Sequence, residues 1–302
     1  MAGTLRGLGR RNPSSPPDRA SRLRPQGLAL LSSALRRRVI PSAARSIALV
    51  LLLPCSLLAQ SATTPPAPTG AAALEQALSA AGGLKALLAI QDFTATGTIT
   101  YYWGGNQVQA PAKLFGRAPD QFRLDSSLPQ GTRSYAVSHG AGALKDTGGN
   151  VIPIPFHNTI NVGVLSFPFF PILARLNDPG VAFTDLGMGP NPSGSGQLHL
   201  IQTQKQFAAK ADPAAVLSNL TTTVFYLDAT TNLPVGISDS THPVETATKN
   251  YPHWVYYGNY TSVGGVQVPM LIREAVGGQT VWELRLSSIQ FNAGLTDANF
   301  TM

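Results

Sequence analysis

From Asp92 onward, most of the sequence alternates between apolar and polar residues with a period of two, and this alternation restricts the fold more than any other feature. In the run DFTATGTITYYW, one side receives Phe93, Ala95, Gly97, Ile99 and Tyr101, and threonines are prominent on the other. The runs NQVQAPAKLFGRAP, QFRLDSSL and TRSYAVSHG follow at a spacing of roughly ten residues. Short alternating runs with turn residues between them predict an antiparallel meander.

The alternation returns in the second half of the chain. Strands are predicted for GQLHLIQTQKQ and on either side of the turn Asp228–Asn232 in TTTVFYLDATTNLPVGISDS. Further strands are predicted at Trp254–Tyr260, Val266–Arg273, Val281–Leu286 and Ser288–Phe291. Within the third of these, Trp282 and Leu284 share one face while Glu283 and Arg285 share the other. That pattern is typical of a sheet with one covered and one solvated face.

Two segments interrupt the β pattern. Before Asp92, AAALEQALSAAGGLKALLAI places its leucines near one helical face, and Gly82 and Gly83 break the helix. In the middle, Asn158–Leu176 predicts one or two short helices interrupted at Pro168 and Pro171. The Gly-rich DLGMGPNPSGSG predicts a flexible hairpin loop. About ten strands and these helices predict an α+β, mainly antiparallel β fold, an incomplete β-barrel covered by helices.

The first 61 residues have the layout of a secretory signal. RSIALVLLLPCSLLAQSA has an arginine-flanked start, an aliphatic run from Ile47 to Leu58 and a small-x-small site at Ala59–Ser61. The run is too short for a membrane-spanning helix of roughly 20 residues. We therefore expect export, with cleavage near Ser61. Residues 1–38 form a segment much longer than the charged region that normally begins a signal peptide. This length indicates that the start codon is assigned too early.

Removal of this segment reverses the charge of the chain. The full sequence carries 22 basic and 15 acidic residues, but residues 1–61 hold ten of the former and one of the latter, so 62–302 carry 12 against 14, a net charge of −2. A net negative charge argues against a nucleic-acid partner. Cleavage also removes Cys55, the single cysteine, so no disulfide is expected. A Pro-rich linker over 62–70 and one monomeric domain over 71–302 are predicted.

Four stretches resemble the LolA-like superfamily of exported lipoprotein carriers and its outer-membrane lipoprotein-sorting-like relatives. They are the Gly-Gly helix and first strand AAGGLKALLAIQDFTATGTI, the strand entry GRAPDQFRLD, the hairpin FYLDATTNLPVGI, and YGNYTSVGGVQVPMLI with the terminal LTDANF. Together the four stretches span most of Ala71–Phe300, and the resemblance rests on their order and spacing. The resemblance implies a half-open antiparallel barrel whose apolar concave face is covered by helices and holds acyl chains.

The same resemblance implies a role for one arginine. In the carrier, an arginine just before the Pro-x-x-Phe strand entry bonds to the helical lid and helps to keep it closed. Arg117 in GRAPDQF occupies the comparable place, with Ala118 as an insertion. Arg117 is therefore a candidate lid lock, and the alternative is an ordinary cation on the strand surface.

The candidate lid and cavity residues are apolar. The Phe-rich segment predicts a lid formed by Leu165, Phe167, Phe169, Phe170 and Leu173. The predicted lining of the cavity is Tyr101, Trp103, Trp282 and Leu284. The alternative is that these side chains fill the core permanently, since burial of each is worth roughly 1.5–3 kcal/mol.

The sequence gives little indication of catalysis. None of the five histidines has a metal-ligand spacing, and Ser193 and Ser195 lack the G-x-S-x-G frame of a nucleophile elbow. We therefore predict no enzyme, no metal and no cofactor. The predicted function is an exported binding protein that holds an acyl chain, a lipid or the lipid group of an acylated protein. The alternative is an exported structural or protein-interaction module with a filled core, which acts through an envelope protein partner.

Overall fold

The computed structural model describes residues 69–160, 165, 167–191, 194 and 196–302 of the chain. The predicted signal segment over 1–61, most of the linker over 62–70, and Ser193 and Ser195 lie outside the described residues. The bounds of these segments therefore stay predictions. No helix within the described part is both long and apolar enough to cross a membrane.

The β-structure of the described residues is a single sheet of 13 strands in which every neighbouring pair is antiparallel. The strands are β1 Asp92–Trp103, β2 Asn106–Arg117, β3 Gln121–Leu128, β4 Gly131–Ser138, β5 Ala141–Lys145, β6 Val151–Ile154, β7 Val181–Pro190, β8 Gln197–Lys205, β9 Thr223–Asp228, β10 Pro234–Thr241, β11 Tyr251–Val263, β12 Val266–Val276 and β13 Gln279–Phe291. The mainly antiparallel sheet is confirmed. The predicted number of about ten strands is too low.

Three strands account for most of this error. β5 and β6 are only five and four residues long and contain Gly142 and Pro153, so a period of two is hard to recognise in them. β7 includes the first half of the glycine-rich stretch that predicts a loop, and the loop itself begins at Asn191. Gly187 has φ of 77° at a register shift between β7 and β8 and marks a β-bulge there. A glycine at a bulge and a glycine in a turn give the same sequence signal.

The strand order shows how the sheet is wound. It runs β6-β5-β4-β3-β2-β1-β13-β12-β11-β10-β9-β8-β7, so the first and last strands of the chain are paired at the centre. From β1 the chain meanders outward to β6, crosses to β7, and then meanders back to β13. β6 and β7 are the two ends of the sheet and are not paired with each other. The sheet is therefore an open one, as an incomplete barrel requires.

Within the described residues, four short α-helices accompany the sheet, namely α1 Gly70–Ala80, α2 Leu84–Leu88, α3 Phe169–Leu176 and α4 Val216–Leu220. Stretches of 3-10 helix lie at Phe156–Asn158 and Asp297–Phe300. Pro168 precedes α3, but the predicted interruption at Pro171 is wrong, because Pro171 lies in the first turn of α3. The first N–H groups of a helix have no partner within the helix, so a proline there removes no hydrogen bond.

The predicted break between α1 and α2 is confirmed, and its cause is a close backbone contact. Gly82 has φ of 126°, and a Cβ at this position would lie 2.5 Å from the carbonyl oxygen of Gly265 in the β11–β12 turn. The amide of Gln267 also donates to the carbonyl of Ala81 over 2.8 Å. A side chain at Gly82 would therefore push the end of α1 away from β12.

The core lies on the inner face of the sheet. Phe93, Ala95, Ile99 and Tyr101 of β1 are buried, as the alternation predicts. Helix α1 adds Leu74 and Leu78 to the same cluster of buried side chains, and α3 adds Phe169, Phe170 and Ile172. The helices thus pack against one part of the inner face.

Candidate functional site

The inner face also contains a cavity of about 310 Å³. Its lining comes from both halves of the sheet: β1, β3, β4, β5 and β6 on one side, and β10, β11, β12 and β13 on the other. The two halves must therefore curl toward each other. The lining residues are Tyr101, Trp103, Leu124, Arg133, Tyr135, Leu144, Ile154, His157, Asn158, Leu165, Asp239, Ser240, Thr241, His253, Glu274, Val276, Val281 and Trp282.

One wall of the cavity is a row of neighbours across five strands. Asp239 of β10 is paired with His253 of β11. Glu274 of β12 is paired with Trp282 of β13, and Trp282 is paired with Tyr101 of β1. Residues paired in this way have Cβ atoms about 5 Å apart, so their side chains touch on one face. Between β11 and β12, His253 is paired with Val276, so Glu274 lies diagonally from His253 and reaches it with its longer side chain. The register of the strands therefore brings three charged groups next to two aromatic rings.

The three charged groups of that wall form a buried network. His253 Nδ1 makes a short hydrogen bond with Asp239 Oδ1, and its Nε2 lies 3.1 Å from Glu274 Oε1. Burial by itself would lower the pKa of His253, but the charges and hydrogen bonds of Asp239 and Glu274 raise it to about 10. His253 is thus a cation at neutral pH.

The opposite wall contains a second cation, Arg133 of β4. Its Nη1 donates to the hydroxyl of Tyr101 over 3.2 Å, and its guanidinium lies over the Tyr101 ring at 5.3 Å from the centroid. The same hydroxyl lies 2.8 Å from Ser126 Oγ, so Tyr101 is fixed at its far end. Trp103 stacks on Tyr101 with ring centroids 4.6 Å apart. Arg133 is therefore held in place by a fixed aromatic pair.

Tyr135 lies two residues from Arg133 on the same face of β4. Burial, and then the charge of Glu274, raises its pKa well above the usual range, against the opposing effect of Arg133. The phenol is therefore neutral over the whole physiological range. A neutral phenol facing a cavity is a hydrogen-bond donor as well as an acceptor.

The 3-10 turn that follows β6 closes one side of the cavity. Asn158 Nδ2 donates to the carbonyl of His242 over 2.9 Å, and Asn158 Oδ1 accepts from the amide of His242 over 2.9 Å. His157 Nε2 lies 2.9 Å from the carbonyl of Pro243. These contacts join the end of β6 to the end of β10. A reciprocal side-chain-to-backbone pair of this kind holds two strand ends together without a core.

The predicted lid residues lie mainly in another region, the phenylalanine cluster, which consists of Phe93, Phe167, Phe169, Phe170 and Phe291. The ring centroid of Phe167 lies 5.1 Å from that of Phe169, 5.2 Å from that of Phe170 and 5.9 Å from that of Phe93. Phe167, Phe169 and Phe170 are each at most 2% exposed. Edge-to-face packing at such distances is typical of a filled core.

The cavity therefore gathers some of the predicted site residues and leaves out others. Tyr101, Trp103, Trp282 and Leu165 line it. Phe170 and Leu173 line a second cavity of about 260 Å³, which α2 and α3 form with Ala118 and Pro119. Phe167, Phe169 and Leu284 are buried in the core and line neither of these two cavities. Which of these side chains contact a ligand stays a prediction.

Arg117, the candidate lid lock, is bonded to the C-terminal turn. Its Nη1 donates to Asp297 Oδ1 over 2.6 Å and to Gln121 Oε1 over 2.9 Å. Both ends of the ion pair are well exposed, at 36% and 68%. These contacts join β2 to the 3-10 turn Asp297–Phe300, and none of them is to a described helical residue.

A different arginine, which sequence reasoning missed, is anchored under a helix. Arg175 lies in the last turn of α3, and its Nε donates to Thr203 Oγ1 of β8 over 2.7 Å. Its Nη2 donates to Thr223 Oγ1 of β9 over 2.6 Å. Burial lowers the pKa of Arg175 to about 10, against the attraction of Asp239, so it stays a cation at neutral pH. These bonds fasten α3 to the sheet and account for two fully buried threonines.

The charged residues of the cavity were also missed, although the sequence contains a signal for them. Arg133 lies in phase with Val137, and His253 lies in phase with Val255, both of which face the core. A charged residue in the apolar phase of a strand must be paired or must face a cavity. No group of three or more His, Cys, Asp or Glu among the described residues is arranged to hold a metal ion.

The solved structures that are similar to this chain include three bacterial proteins. A domain described as outer-membrane lipoprotein-sorting, from Vibrio parahaemolyticus, has a TM-score of 0.46 and 13% identity, and the match covers 76% of this chain and 97% of that chain. A LolA superfamily protein from Nitrosomonas europaea has a TM-score of 0.48 and 12% identity, with 78% and 98% covered. A DUF1329 family protein from Desulfovibrio piger has a TM-score of 0.48 and 11% identity, with 78% and 97% covered.

Two of these descriptions name the superfamily that the sequence motifs resemble. Because the TM-scores lie below 0.5 and the identities are low, the likeness carries no argument about function. No family model matches the chain. No curated protein matches it either.

Proposed function

We propose that the chain is an exported, non-catalytic binding protein that holds an acyl chain, from a lipid or an acylated protein, in the cavity between the two halves of its sheet. The observation that carries the proposal is the cavity itself. Its volume of about 310 Å³ lies at the small end of the range for ligand sites, about 300–1,000 Å³. A single chain suits that volume better than a lipid with two long chains.

The lining supports an apolar ligand with one polar end. Leu124, Leu144, Ile154, Leu165 and Val281 offer aliphatic surface, and Trp103 and Trp282 offer flat aromatic surface. Burial of each CH₂ group of a ligand is worth about 0.8 kcal/mol. Tyr101, Trp103, Leu165 and Trp282 are the predicted residues that we assign to ligand contact. The other predicted residues would stabilise the fold without contacting the ligand, namely Phe167, Phe169, Phe170, Leu173 and Leu284. An acyl chain would then enter without displacing the phenylalanine cluster.

The export part of the proposal rests on the sequence of residues 1–61. N-terminal sequencing of the protein recovered from its own host should begin near Ala62. A protein that retains residues 1–61 would contradict export through signal cleavage.

Binding is tested by native mass spectrometry of the purified full chain and by displacement of a fluorescent fatty acid. We expect a bound mass in the range of a single acyl chain and saturable uptake of the probe. Leu144→Trp fills the cavity from β5 and should abolish uptake. The matched control is Leu186→Trp, which adds the same group at an exposed position of β7 and should leave uptake unchanged. A wild-type protein that neither retains a lipid nor takes up the probe would overturn the proposal.

The second candidate is an exported module that acts through an envelope protein partner and has no ligand. The filled phenylalanine cluster favours it, because the rings around Phe167 pack against one another and leave no space between them for a chain. On this reading Leu144→Trp changes only stability. The same uptake experiment therefore separates the two candidates.

A further inference from the structure

Two hydrogen-bond donors in the cavity have donating capacity that no described residue uses. Arg133 has five N–H groups, and only its bond to the Tyr101 hydroxyl is formed. No carboxylate among the described residues lies within 4.0 Å of its nitrogens. The hydroxyl of Tyr135 makes no hydrogen bond with any described residue. Since polar groups inside a protein are normally paired, these two donors are available to a ligand.

The two donors are also fixed in position. Arg133 lies over the ring of Tyr101, which is tied at its hydroxyl to Ser126. The ring of Tyr135 packs edge-on against Phe122 with centroids 5.6 Å apart. Both side chains project from the same face of one strand. A rigid pair of donors loses little conformational entropy when it binds a ligand, which favours affinity.

The charges of the cavity leave room for one anion. Asp239 and Glu274 are the carboxylates of the lining, and both are hydrogen-bonded to the cationic His253 on the β10–β12 wall. The lining therefore contains two acidic side chains and two cations, His253 and Arg133. Arg133 is the cation whose charge no carboxylate neutralises by direct contact. A guanidinium of this kind binds carboxylate or phosphate through two parallel hydrogen bonds.

We infer that the ligand of this cavity carries an oxyanion, a carboxylate or a phosphate, at the end of its apolar chain, and that Arg133 and Tyr135 bind this group. The inference rests on the proposed function, because it assigns the polar end of the same ligand. The cavity volume equals that of about ten water molecules in the liquid. A chain of about eight carbons with one head group fits that volume.

The test compares three ligands that share an eight-carbon chain, namely octanoate, octyl phosphate and octanol. Each is titrated into the delipidated full chain by isothermal titration calorimetry. We expect one or both anions to bind about ten to a hundred times more tightly than octanol, the factor given by hydrogen bonds to a charged group. The ratio of octanoate to octyl phosphate then tells a carboxylate site from a phosphate site.

Variants locate the effect. Arg133→Met should remove the preference for the anions and leave the affinity for octanol unchanged, and Tyr135→Phe should reduce the preference less. Arg133→Lys keeps the charge without the planar fork, so it should retain part of the preference even if Arg133→Met folds poorly. The matched control is Arg285→Met, which removes an exposed arginine paired with Glu283. It should behave as the wild type.

The outcomes separate the inference from the function on which it rests. Equal affinity for octanol and both anions, or a preference that survives Arg133→Met, would overturn the oxyanion inference and leave an acyl-binding protein. Failure of all three ligands to bind would overturn the proposed function as well.

Discussion

The phenylalanine cluster around Phe167 and the cavity around Arg133 lie on the same inner face of one sheet, but the first is packed and the second is hollow. The cluster consists of rings whose centroids lie 5.1 to 6.1 Å apart. The cavity is lined by charged residues from β4 and from β10 to β12. Apolar rings can fill an interior by themselves, whereas buried charges need partners at defined distances and leave space between them.

The difference in packing between the phenylalanine cluster and the cavity predicts where a ligand would enter. To open the cluster, several buried rings would have to be exposed at roughly 1.5–3 kcal/mol each. To fill the cavity, nothing has to move, and two unused donors gain a partner. The helices α1 and α3 therefore pack on the filled side of the inner face, and the proposed binding site lies on the hollow side. Each prediction below tests one side of this comparison.

The largest effect is expected in the packed side. Phe167→Ala should lower the free energy of unfolding by about 3–5 kcal/mol, because it leaves a hole among rings that cannot close around it. Urea unfolding followed by fluorescence measures this loss. The affinity for a fatty-acid probe should stay the same in the folded variant.

The control for this prediction is Trp103→Ala on the hollow side. Trp103 is 41% exposed, so its removal should cost far less stability, while it should weaken uptake of the probe. A lower affinity for the fatty-acid probe in Phe167→Ala, together with an unchanged affinity in Trp103→Ala, would contradict this assignment of the two regions.

The next effect concerns the charged wall of the cavity. His253→Gln should lower the free energy of unfolding by about 3 kcal/mol at pH 7, because Asp239 and Glu274 then remain buried without a cation. Gln is chosen because it keeps one donor and a similar size. A loss as small as that of a surface substitution would show that water, rather than His253, solvates the two carboxylates.

The pH dependence of this loss has a definite sign. The pKa of His253 is raised to about 10 in the folded state, from about 6.5 in an unfolded chain. The stabilisation is therefore complete below pH 6.5 and is lost progressively as the pH rises toward 10. The difference in unfolding free energy between wild type and His253→Gln should shrink from pH 6.5 to pH 9.5. A difference that stays constant over this interval would mean that His253 is neutral in the fold.

A smaller effect is expected at the joint between α3 and the sheet. Arg175→Met should lower the free energy of unfolding by about 1.5–3 kcal/mol, since it removes charged hydrogen bonds to Thr203 and Thr223. Amide hydrogen exchange should become faster in α3 before it does in β1. Unchanged protection of α3 would show that the packing of Phe169 and Phe170 holds the helix without the arginine.

The sequence predicts the packed side well and the hollow side poorly, for a physical reason. Strand periodicity predicts the buried residues Phe93, Ala95, Ile99 and Tyr101 of β1, and the Gly82-Gly83 pair predicts the break between the helices. A ring buried in a core and a ring that lines a cavity have the same pattern, however. Trp282 faces the cavity and Leu284 does not, although both follow the same alternation.

The partners of the charged residues depend on register between distant strands. Asp239 and His253 are opposite each other because of the β10–β11 pairing, and Arg133 faces them only because the whole sheet curls. Neither relation is local in sequence. Short strands add to the difficulty, since β5 and β6 are fixed mainly by the strands on which they pair.

The smallest effect should come from Arg117, and it separates two roles for the same residue. If Arg117 only joins β2 to the C-terminal turn through an exposed ion pair with Asp297, Arg117→Gln should lower Tm by less than about 3 °C. The loss should vanish in 1 M salt, where the screening length is about 3 Å. If Arg117 instead locks the helical lid, the variant should accelerate amide exchange in α3 as Arg175→Met does, and the effect should persist in salt because the contact is buried. The exposed geometry favours the first outcome, which would place the fastening of α3 on Arg175 and leave the cavity free to bind its ligand without any release of the helix.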